Sequence, residues 1–247
     1  MSPAPRYAVI GNPVEHSRSP RIHALFGQQT GVALQYERLL APLDGFETAA
    51  QAFAGEGGRG LNVTVPFKQQ AFELARDHLC PRARLAGAVN TLSWHDQAWH
   101  GCNTDGVGLV ADLIRLGARL DGARVLLVGA GGAARGVLQP LAEAGCAHLR
   151  IVNRTPERAA ELAQNWQEAR TGLPTQISAG GLPDAAIAGG WNVVVNATAS
   201  SLQGATLALS AGLYAEDALA YDMLYAAQPT PFMLQAARDG AARCADG

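Results

Sequence analysis

A glycine-rich turn between a strand and a helix is the feature that most constrains how this chain can fold. The apolar run 125–128 is typical of a buried strand, and a helix is predicted over 131–143. The residues of the turn are Gly129, Ala130, Gly131, Gly132 and Ala133. Glycines at such a point let the backbone approach a pyrophosphate that the helix N-terminus holds. The turn therefore predicts a dinucleotide-binding fold of the Rossmann type; the alternative is a set of glycines that only tighten a turn.

The residues that follow the next predicted strand indicate which dinucleotide the chain binds. A site for NAD would place Asp or Glu there, to bind the ribose hydroxyls. This chain has Asn153, Arg154, Thr155 and Arg158, with no acidic residue at the end of the strand. Guanidinium groups and a hydroxyl suit a 2′-phosphate, because they donate hydrogen bonds to it. NADP is therefore favoured over NAD, although Arg158 could equally be a solvated residue at a helix start.

Strands and helices alternate through both halves of the chain, a pattern typical of α/β folds. In the first half, strands are predicted over 7–11, 36–40, 60–65, 88–94 and 98–100, and helices over 19–27, over 45–54 and from Pro66. In the second half, strands are predicted over 125–128, 149–152, 191–195 and 219–222, and helices over 106–116, 131–143 and 155–166. We therefore predict two α/β lobes with a cleft between them, divided in or near the helix that starts at Gly106.

Composition excludes several classes of protein. The 247 residues carry a formal net charge of −2 without basic runs, which argues against a nucleic-acid surface. The sequence has no run of about 18 apolar residues and no secretory signal, so neither a membrane helix nor export is predicted. We expect a soluble, cytoplasmic protein that acts on a small molecule, as a monomer or a homodimer.

The four cysteines, Cys80, Cys102, Cys146 and Cys244, are scattered and include no Cys-x-x-Cys pair. This spacing predicts isolated, reduced thiols rather than a disulfide framework. His95, His100 and Cys102 are close enough in sequence to resemble a set of metal ligands. No fourth ligand follows at the spacing of a zinc site. No metal site is therefore predicted.

Lys68 is the only lysine among the 19 basic residues, and all the others are arginine. Arginine cannot give up its proton near neutral pH, whereas a lysine can once burial or a neighbouring charge lowers its pKa. A lone lysine in an arginine-rich chain is therefore a candidate for proton transfer. The alternative is a surface residue without a role.

Polar clusters stand at the ends of predicted elements in the first half, where residues on loops commonly bind and react. Ser17 and Ser19 precede a helix whose N-terminus favours a carboxylate ligand; the alternative is that Ser19 caps this helix, with Pro20 as its first residue. Asn62 and Thr64 share one face of a predicted strand that leads to Lys68.

A further cluster joins Val89-Asn90-Thr91 to Asn103-Thr104-Asp105-Gly106. Asp105 could cap the helix that follows it. Together with Lys68, however, it suggests proton transfer during hydride exchange with an alcohol. Removal of hydride from a carbinol carbon requires the hydroxyl proton to leave, and a lysine oriented by an aspartate can accept that proton.

Six motifs, in this order along the chain, resemble those of the shikimate dehydrogenase family. They are Gly11-Asn-Pro-Val-Glu-His-Ser-Arg-Ser-Pro20, Asn62-Val-Thr-Val-Pro-Phe-Lys68, Ala86-Gly-Ala-Val-Asn-Thr91, Asn103-Thr-Asp-Gly106, Gly129-Ala-Gly-Gly-Ala133 and Asn153-Arg-Thr155. They span nearly the whole chain and are highly specific in combination. The resemblance implies reversible, NADP-dependent reduction of 3-dehydroshikimate to shikimate, on the pathway to chorismate and the aromatic amino acids.

The resemblance also implies roles for individual residues. By the family's pattern, Lys68 and Asp105 match the catalytic pair. The positions that match shikimate-binding residues are Ser17, Ser19, Asn62, Thr64, Asn90 and Tyr225. The positions that match cofactor-binding residues are Gly129 to Ala133, Asn153, Arg154, Thr155, Arg158, Met223 and Gly247. The implied domains are a substrate-binding and catalytic domain over 1–105 and a Rossmann-type NADP domain over 106–240.

The sequence departs from the family's pattern at its C-terminal end. The family usually continues past Ala245-Asp-Gly247 with a Gly-Leu-Gly-Met run and a helix that carries a substrate-binding glutamine. We expect residues 241–247 to begin this segment, which in the family returns to the first lobe. Without it, weaker substrate binding and exposed apolar surface are expected.

Two alternative functions stay open at this point. The first is a quinate/shikimate dehydrogenase relative that uses NAD; such enzymes often carry an acidic residue after the second strand, so Arg154 counts against it. The second is a non-catalytic, cofactor-binding protein on the same fold. The intact pair of Lys68 and Asp105 counts against that alternative, and the short C-terminal end counts for it.

Overall fold

The computed structural model describes residues 4–169, 172–200 and 204–247. The chain divides into two units, Met1–Thr104 and Asp105–Gly247, and each is built on its own β-sheet. Within the described ranges, no helix is both long and apolar enough to cross a membrane.

The sheet described in the first unit has the strand order β2-β1-β3-β4-β5. Its strands are β1 (Arg6–Gly11), β2 (Gln35–Leu40), β3 (Gly58–Val63), β4 (Thr91–His95) and β5 (Ala98–Cys102). The helices of this unit are α1 (Ser19–Thr30), α2 (Phe46–Gly55), α3 (Lys68–Leu74) and α4 (Pro81–Ala86), with a 3₁₀ turn at Arg76–His78.

The first three strands of this sheet are parallel, whereas β4 and β5 form an antiparallel hairpin that extends it at one edge. The hairpin turns at Asp96 and Gln97, whose φ values of 53° and 58° are those of a type I′ turn. Because β1 and β3 are parallel neighbours, the loops after them lie at the same edge of the sheet. The Asn12 N–H donates to the Val65 carbonyl at 3.1 Å and ties these two loops together.

The sheet of the second unit is parallel throughout, with the order β11-β10-β9-β6-β7-β8. Its strands are β6 (Arg124–Val128), β7 (His148–Asn153), β8 (Gln176–Gly181), β9 (Trp191–Asn196), β10 (Tyr214–Asp222) and β11 (Arg243–Asp246). The helices are α5 (Asp105–Arg115), α6 (Gly132–Glu143), α7 (Pro156–Ala169) and α8 (Pro231–Arg238), with a 3₁₀ turn at Leu182–Ala185. From the central pair β6 and β9, the strands β7 and β8 follow on one side and β10 and β11 on the other, which is the strand arrangement of a Rossmann fold. The predicted α/β class and the Rossmann-type second half are therefore confirmed.

The central strand β6 shows why the run 125–128 is continuously apolar. Val125 and Leu127 belong to one buried cluster, while Leu126 and Val128 belong to another. All four side chains are fully buried, since the sheet is covered on both faces.

Several local predictions are wrong in detail. β3 ends at Val63, so Thr64 lies beyond the strand and shares no strand face with Asn62. Helix α3 begins at Lys68 rather than at Pro66, because a turn closed by the Phe67 N–H and the Thr64 carbonyl (3.0 Å) comes first. Ser19 does not cap α1, whose N-cap is Arg18; Ser19 is the first helical residue.

Four elements were not predicted from the sequence. They are α4, β8, α8 and β11. Strand β8 reads Gln-Ile-Ser-Ala-Gly-Gly and has one β-branched residue, so it lacks the composition that marks a strand. Strand β11 pairs with β10 in the second sheet and includes most of the segment 241–247.

Candidate active site

The glycine-rich turn lies at the carboxyl edge of the second sheet, where its first residue is tightly packed. Gly129 has φ +116°, and a Cβ there would lie 3.1 Å from the Ala197 carbonyl oxygen. Its N–H donates to the Val152 carbonyl at 2.7 Å, which joins the turn to the end of β7. The positive φ thus favours glycine at this position, and the tight packing against Ala197 adds to that preference.

The N-terminus of helix α6 opens onto free space at the same edge. Its N-cap is Gly131, which has no side chain to occupy the first N–H groups of the helix. A Cβ at Gly131 or Gly132 would meet no atom within 4 Å, while Ala133 is half-buried and Ala130 packs against the core. Backbone N–H groups and the helix dipole at such an end favour an anion, as a pyrophosphate requires.

A cavity of about 400 Å³ opens beside this turn. Asn153 and Arg154 line it from the end of β7, and Thr198 and Ser200 line it from the loop after β9. The Asn153 amide donates to the Thr155 carbonyl at 3.0 Å and so shapes the start of α7. Arg154, Thr155 and Arg158 are exposed. The volume falls within the range of about 300–1,000 Å³ that is usual for ligand sites, and the donors fit a nucleotide that carries an additional phosphate.

A buried polar network supports the edge of this sheet, and sequence reasoning missed it. Asp222 is fully buried at the end of β10, where it accepts hydrogen bonds from the Asn196 amide (3.1 Å), the Thr230 hydroxyl (2.7 Å) and the Leu224 N–H (3.1 Å). Asn196 in turn accepts from the Thr198 N–H at 3.1 Å and from its hydroxyl. The network therefore fixes the loop after β9 that lines the cavity.

The remaining cofactor positions of the second unit lie around the end of β10. The Met223 N–H donates to the Asn196 carbonyl at 3.0 Å, and the Gly247 N–H donates to the Asp222 carbonyl at 2.9 Å. Tyr225, assigned to the substrate, follows in the same loop and its side chain is 51% exposed. Met223 and Gly247 are thus held by main-chain hydrogen bonds to residues of the network around Asp222.

In the first unit, a chain of hydroxyl groups connects three of the predicted substrate residues. The Ser17 hydroxyl donates to that of Ser19 at 3.1 Å, Ser19 hydrogen-bonds Tyr36, and the Tyr36 phenol donates to Asn62 Oδ1 at 2.6 Å. Burial raises the pKa of Tyr36 well above its ordinary value, and the Ser19 contact opposes this. The phenol is therefore a donor across the usual pH range and fixes the Asn62 amide. His23 stacks on the Tyr36 ring at 4.0 Å.

Main-chain hydrogen bonds bring Lys68 and Asn90 to the same part of the first unit. The Lys68 carbonyl accepts from the Val89 N–H at 2.9 Å, and the Asn90 carbonyl accepts from the Val63 N–H at 2.7 Å. Lys68 is half-buried as the first residue of α3, and Thr64 is half-buried just before it. The Asn90 side chain is in turn locked by Thr104, whose N–H donates to Asn90 Oδ1 at 3.0 Å and whose hydroxyl accepts from Asn90 Nδ2 at 3.0 Å.

Asp105 begins helix α5 in the second unit and is half-buried. Gly106 follows it, and a Cβ at that position would collide with the Gly136 carbonyl on α6. This close approach of α5 to α6 holds the start of α5 in place. Since Lys68 belongs to the first unit and Asp105 to the second, their pairing stays a prediction.

Three potential metal ligands come together on the β4–β5 hairpin, in the part of the chain that the structure describes. His95, Asp96 and His100 place ligand atoms within 4.8 Å of one another. Burial and the neighbouring His95 and His78 lower the pKa of His100. Cys102 lies outside this group: its thiol accepts from the Arg82 guanidinium at 3.3 Å and hydrogen-bonds Cys80.

Two protein families match the chain, one in each unit. Residues 9–92 match the shikimate dehydrogenase substrate binding domain, and residues 112–203 match the family described as shikimate / quinate 5-dehydrogenase. Together, the two matches cover well over half of the chain.

Individual relatives agree with these family matches. The chain is 70% identical over 246 residues to the shikimate dehydrogenase (NADP(+)) of Bordetella petrii, with 100% of this chain and 86% of the relative covered. It is 68% identical over 244 residues to the enzyme of the same name from Bordetella avium, with 98% and 84% covered. Among solved structures, shikimate 5-dehydrogenase from Thermus thermophilus, in complex with NADP(H) and shikimate, has a TM-score of 0.82 and 32% identity, with 97% of this chain and 86% of that one covered.

Proposed function

Because the chain belongs to the shikimate dehydrogenase family, we propose that it catalyses the reversible, NADP-dependent reduction of 3-dehydroshikimate to shikimate. This reaction, in which an oxidoreductase acts on a CH–OH group, serves chorismate and aromatic amino acid biosynthesis. The observation that carries the proposal is the edge of the second sheet, where the Gly129 turn and the open end of α6 lie beside the cavity at Asn153 and Arg154.

The cofactor-binding residues we assign are those of the glycine turn, with Asn153, Arg154, Thr155, Arg158, Met223 and Gly247. The N–H groups at the start of α6 bind the pyrophosphate, and Arg154 binds the 2′-phosphate. When bound, NADP exchanges a hydride with the carbinol carbon of the substrate.

Lys68 carries the proton of this reaction. In the direction of shikimate oxidation, the hydroxyl that becomes the ketone gives its proton to Lys68 Nζ. In the direction of reduction, the Lys68 ammonium returns a proton to the same oxygen. Asp105 orients Lys68 and stabilises its charged form. Two protonation states of one side chain thus serve both directions.

The substrate-binding residues we assign are Ser17, Ser19, Asn62, Thr64, Asn90 and Tyr225. The hydroxyls of Ser17 and Ser19, at the N-terminus of α1, suit the carboxylate of shikimate. The amides of Asn62 and Asn90 suit its ring hydroxyls, because an amide both donates and accepts hydrogen bonds. Both amides are held before the substrate arrives, by Tyr36 and by Thr104, so binding loses little side-chain freedom.

We expect the replacement Tyr36→Phe to raise the KM for shikimate by about 5–10-fold, since one net hydrogen bond is worth about 1 kcal/mol. The change removes the donor that fixes Asn62 Oδ1 but leaves the ring stacked on His23. The kcat should stay close to that of the wild type, because Tyr36 has no part in the proton transfer. Steady-state kinetics with varied shikimate test this, and Tyr7→Phe in the same unit is the control. An unchanged KM would remove Asn62 from the set of substrate residues that we assign.

We expect Arg154→Ala to raise the KM for NADP by about 10–100-fold and to leave the KM for NAD almost unchanged, because only NADP carries the 2′-phosphate. Arg119→Ala is the matched control, as Arg119 is also an exposed arginine of the second unit. Kinetics with each dinucleotide measure the effect. An equal loss with NAD and NADP would show that Arg154 does not select the cofactor.

Further parts of the proposal concern partners and location. The chain acts on small molecules, as a monomer or homodimer, in the cytoplasm and without nucleic acid. The near-neutral charge of −2 supports the part of this proposal that concerns nucleic acid.

A further inference from the structure

The backbone places Cys80 and Cys102 next to each other in the first unit. Leu79 and Gly101 form a parallel β-bridge, and the Cys80 N–H donates to the Gly101 carbonyl at 2.8 Å. Both Leu79 (φ −89°, ψ 136°) and Cys80 (φ −69°, ψ 159°) are extended, so the next pair in register is Cys80 with Cys102. Neighbouring strands lie about 4.7–4.9 Å apart, and a disulfide needs a Cα separation of about 4.4–6.8 Å. The register therefore suits a disulfide between the two residues.

The side chains of this pair also contact each other. The two thiols, which are free and half-buried, share a hydrogen bond. The Arg82 guanidinium donates to Cys102 Sγ at 3.3 Å and to the Asn103 carbonyl at 3.0 Å. Its position beside the sulfurs is thus fixed by two contacts. The four cysteines are free thiols in the described residues, as the sequence predicts, but Cys80 and Cys102 are neighbours rather than isolated.

The surroundings of the two sulfurs are unequal. Burial alone raises the pKa of Cys80, but hydrogen bonds from Cys102 and from the Ala83 and Asn103 backbone, together with the Arg82 charge, bring it below its ordinary value. Burial and the Cys80 sulfur raise the pKa of Cys102. Cys80 is therefore the more acidic thiol of the pair, and so the one that more readily forms the reactive thiolate.

The other two cysteines provide an internal comparison. Burial raises the pKa of Cys146 to about 12 and also raises that of Cys244. The thiolate is the reactive form of cysteine, so these two thiols should react slowly with an oxidant.

We propose that Cys80 and Cys102 form a peroxide-sensitive dithiol site, which closes reversibly into an intramolecular disulfide. The Cys80 thiolate attacks a hydroperoxide, the O–O bond breaks, and Cys80 becomes a sulfenic acid as the peroxide is reduced to an alcohol or water. The Cys102 sulfur then attacks the Cys80 sulfur, the S–O bond breaks, and the departing hydroxide leaves as water with the Cys102 proton. An added dithiol reverses the reaction.

The test is oxidation of the full chain with hydrogen peroxide, followed by blocking of remaining thiols and digestion after arginine. The expected product joins peptide 77–82 to peptide 85–115, and it is lighter than their sum by two hydrogen atoms. We expect Cys80 and Cys102 to lose their thiols about tenfold faster than Cys244, and dithiothreitol to restore them. A disulfide that joins other cysteines or two chains, or equal rates at Cys80 and Cys244, would overturn the proposal.

Single variants separate the two roles. Cys102→Ser should stop at the sulfenic acid, which dimedone traps on Cys80, whereas Cys80→Ser should leave Cys102 reduced. Arg82→Gln should slow the oxidation of Cys80, and Cys244→Ser is the control that should behave as the wild type. Rapid oxidation of Cys102 in the Cys80→Ser variant would contradict the assigned order of attack.

Discussion

Replacement of Lys68 by alanine is expected to lower kcat/KM for shikimate oxidation by about 10²–10⁴-fold, the usual contribution of a positioned general base. The fold should persist, because the contact that ties Lys68 to Val89 uses its main-chain carbonyl. Binding of NADP, measured by fluorescence titration, should be nearly unchanged, since the residues we assign to the cofactor lie in the second unit.

Lys68→Arg distinguishes proton transfer from simple charge. Arginine keeps the positive charge but cannot release its proton near neutral pH. We therefore expect it to be almost as inactive as Lys68→Ala. Gln69→Ala, at the adjacent exposed position on α3, is the control and should retain activity. If Lys68→Arg keeps near-normal turnover, Lys68 acts through its charge alone and the assigned role is wrong.

Replacement of Asp222 by alanine is expected to lower the free energy of unfolding by about 3 kcal/mol or more. The change removes the acceptor of three donors, the Asn196 amide, the Thr230 hydroxyl and the Leu224 N–H. Each buried donor without a hydrogen-bond partner costs about 1–3 kcal/mol. For a protein of this size, the Tm should fall by roughly 6–12 °C. Thermal unfolding followed by circular dichroism measures this change.

Asp217→Ala is the matched control for this experiment, because Asp217 is an exposed aspartate on the same strand. We expect it to change the free energy of unfolding by less than about 0.5 kcal/mol. Asp222→Asn keeps the shape and one acceptor oxygen, so it should fall between the two. Equal Tm values for Asp222→Ala and Asp217→Ala would show that the buried network does not stabilise the sheet.

The cofactor half of the molecule was predictable because its signals are local. A short, continuous apolar run is typical of a strand that is buried on both faces, and a positive φ favours glycine at position 129. Asn153 and Arg154 follow from the position of the next strand. Short-range patterns of this kind are enough to predict the fold class and most of the residues that we assign to nucleotide binding.

The supporting contacts could not be predicted, because they join residues far apart in sequence. Tyr36 hydrogen-bonds Asn62 from another strand, and Asp222 accepts hydrogen bonds from residues at the end of β9 and at the start of α8. The same holds for Cys80 and Cys102, which meet through a single β-bridge. Ser19 looked like a cap since serine favours that position, yet its hydroxyl belongs to the chain that leads to Tyr36.

The central claim is tested most directly by the formation of NADPH when the 247-residue chain is mixed with shikimate and NADP. Quinate in place of shikimate, and NAD in place of NADP, are measured in parallel. We expect rapid turnover with shikimate and NADP and much slower turnover with either substitute. Comparable rates with quinate or NAD, or no turnover with any pair, would contradict the assignment.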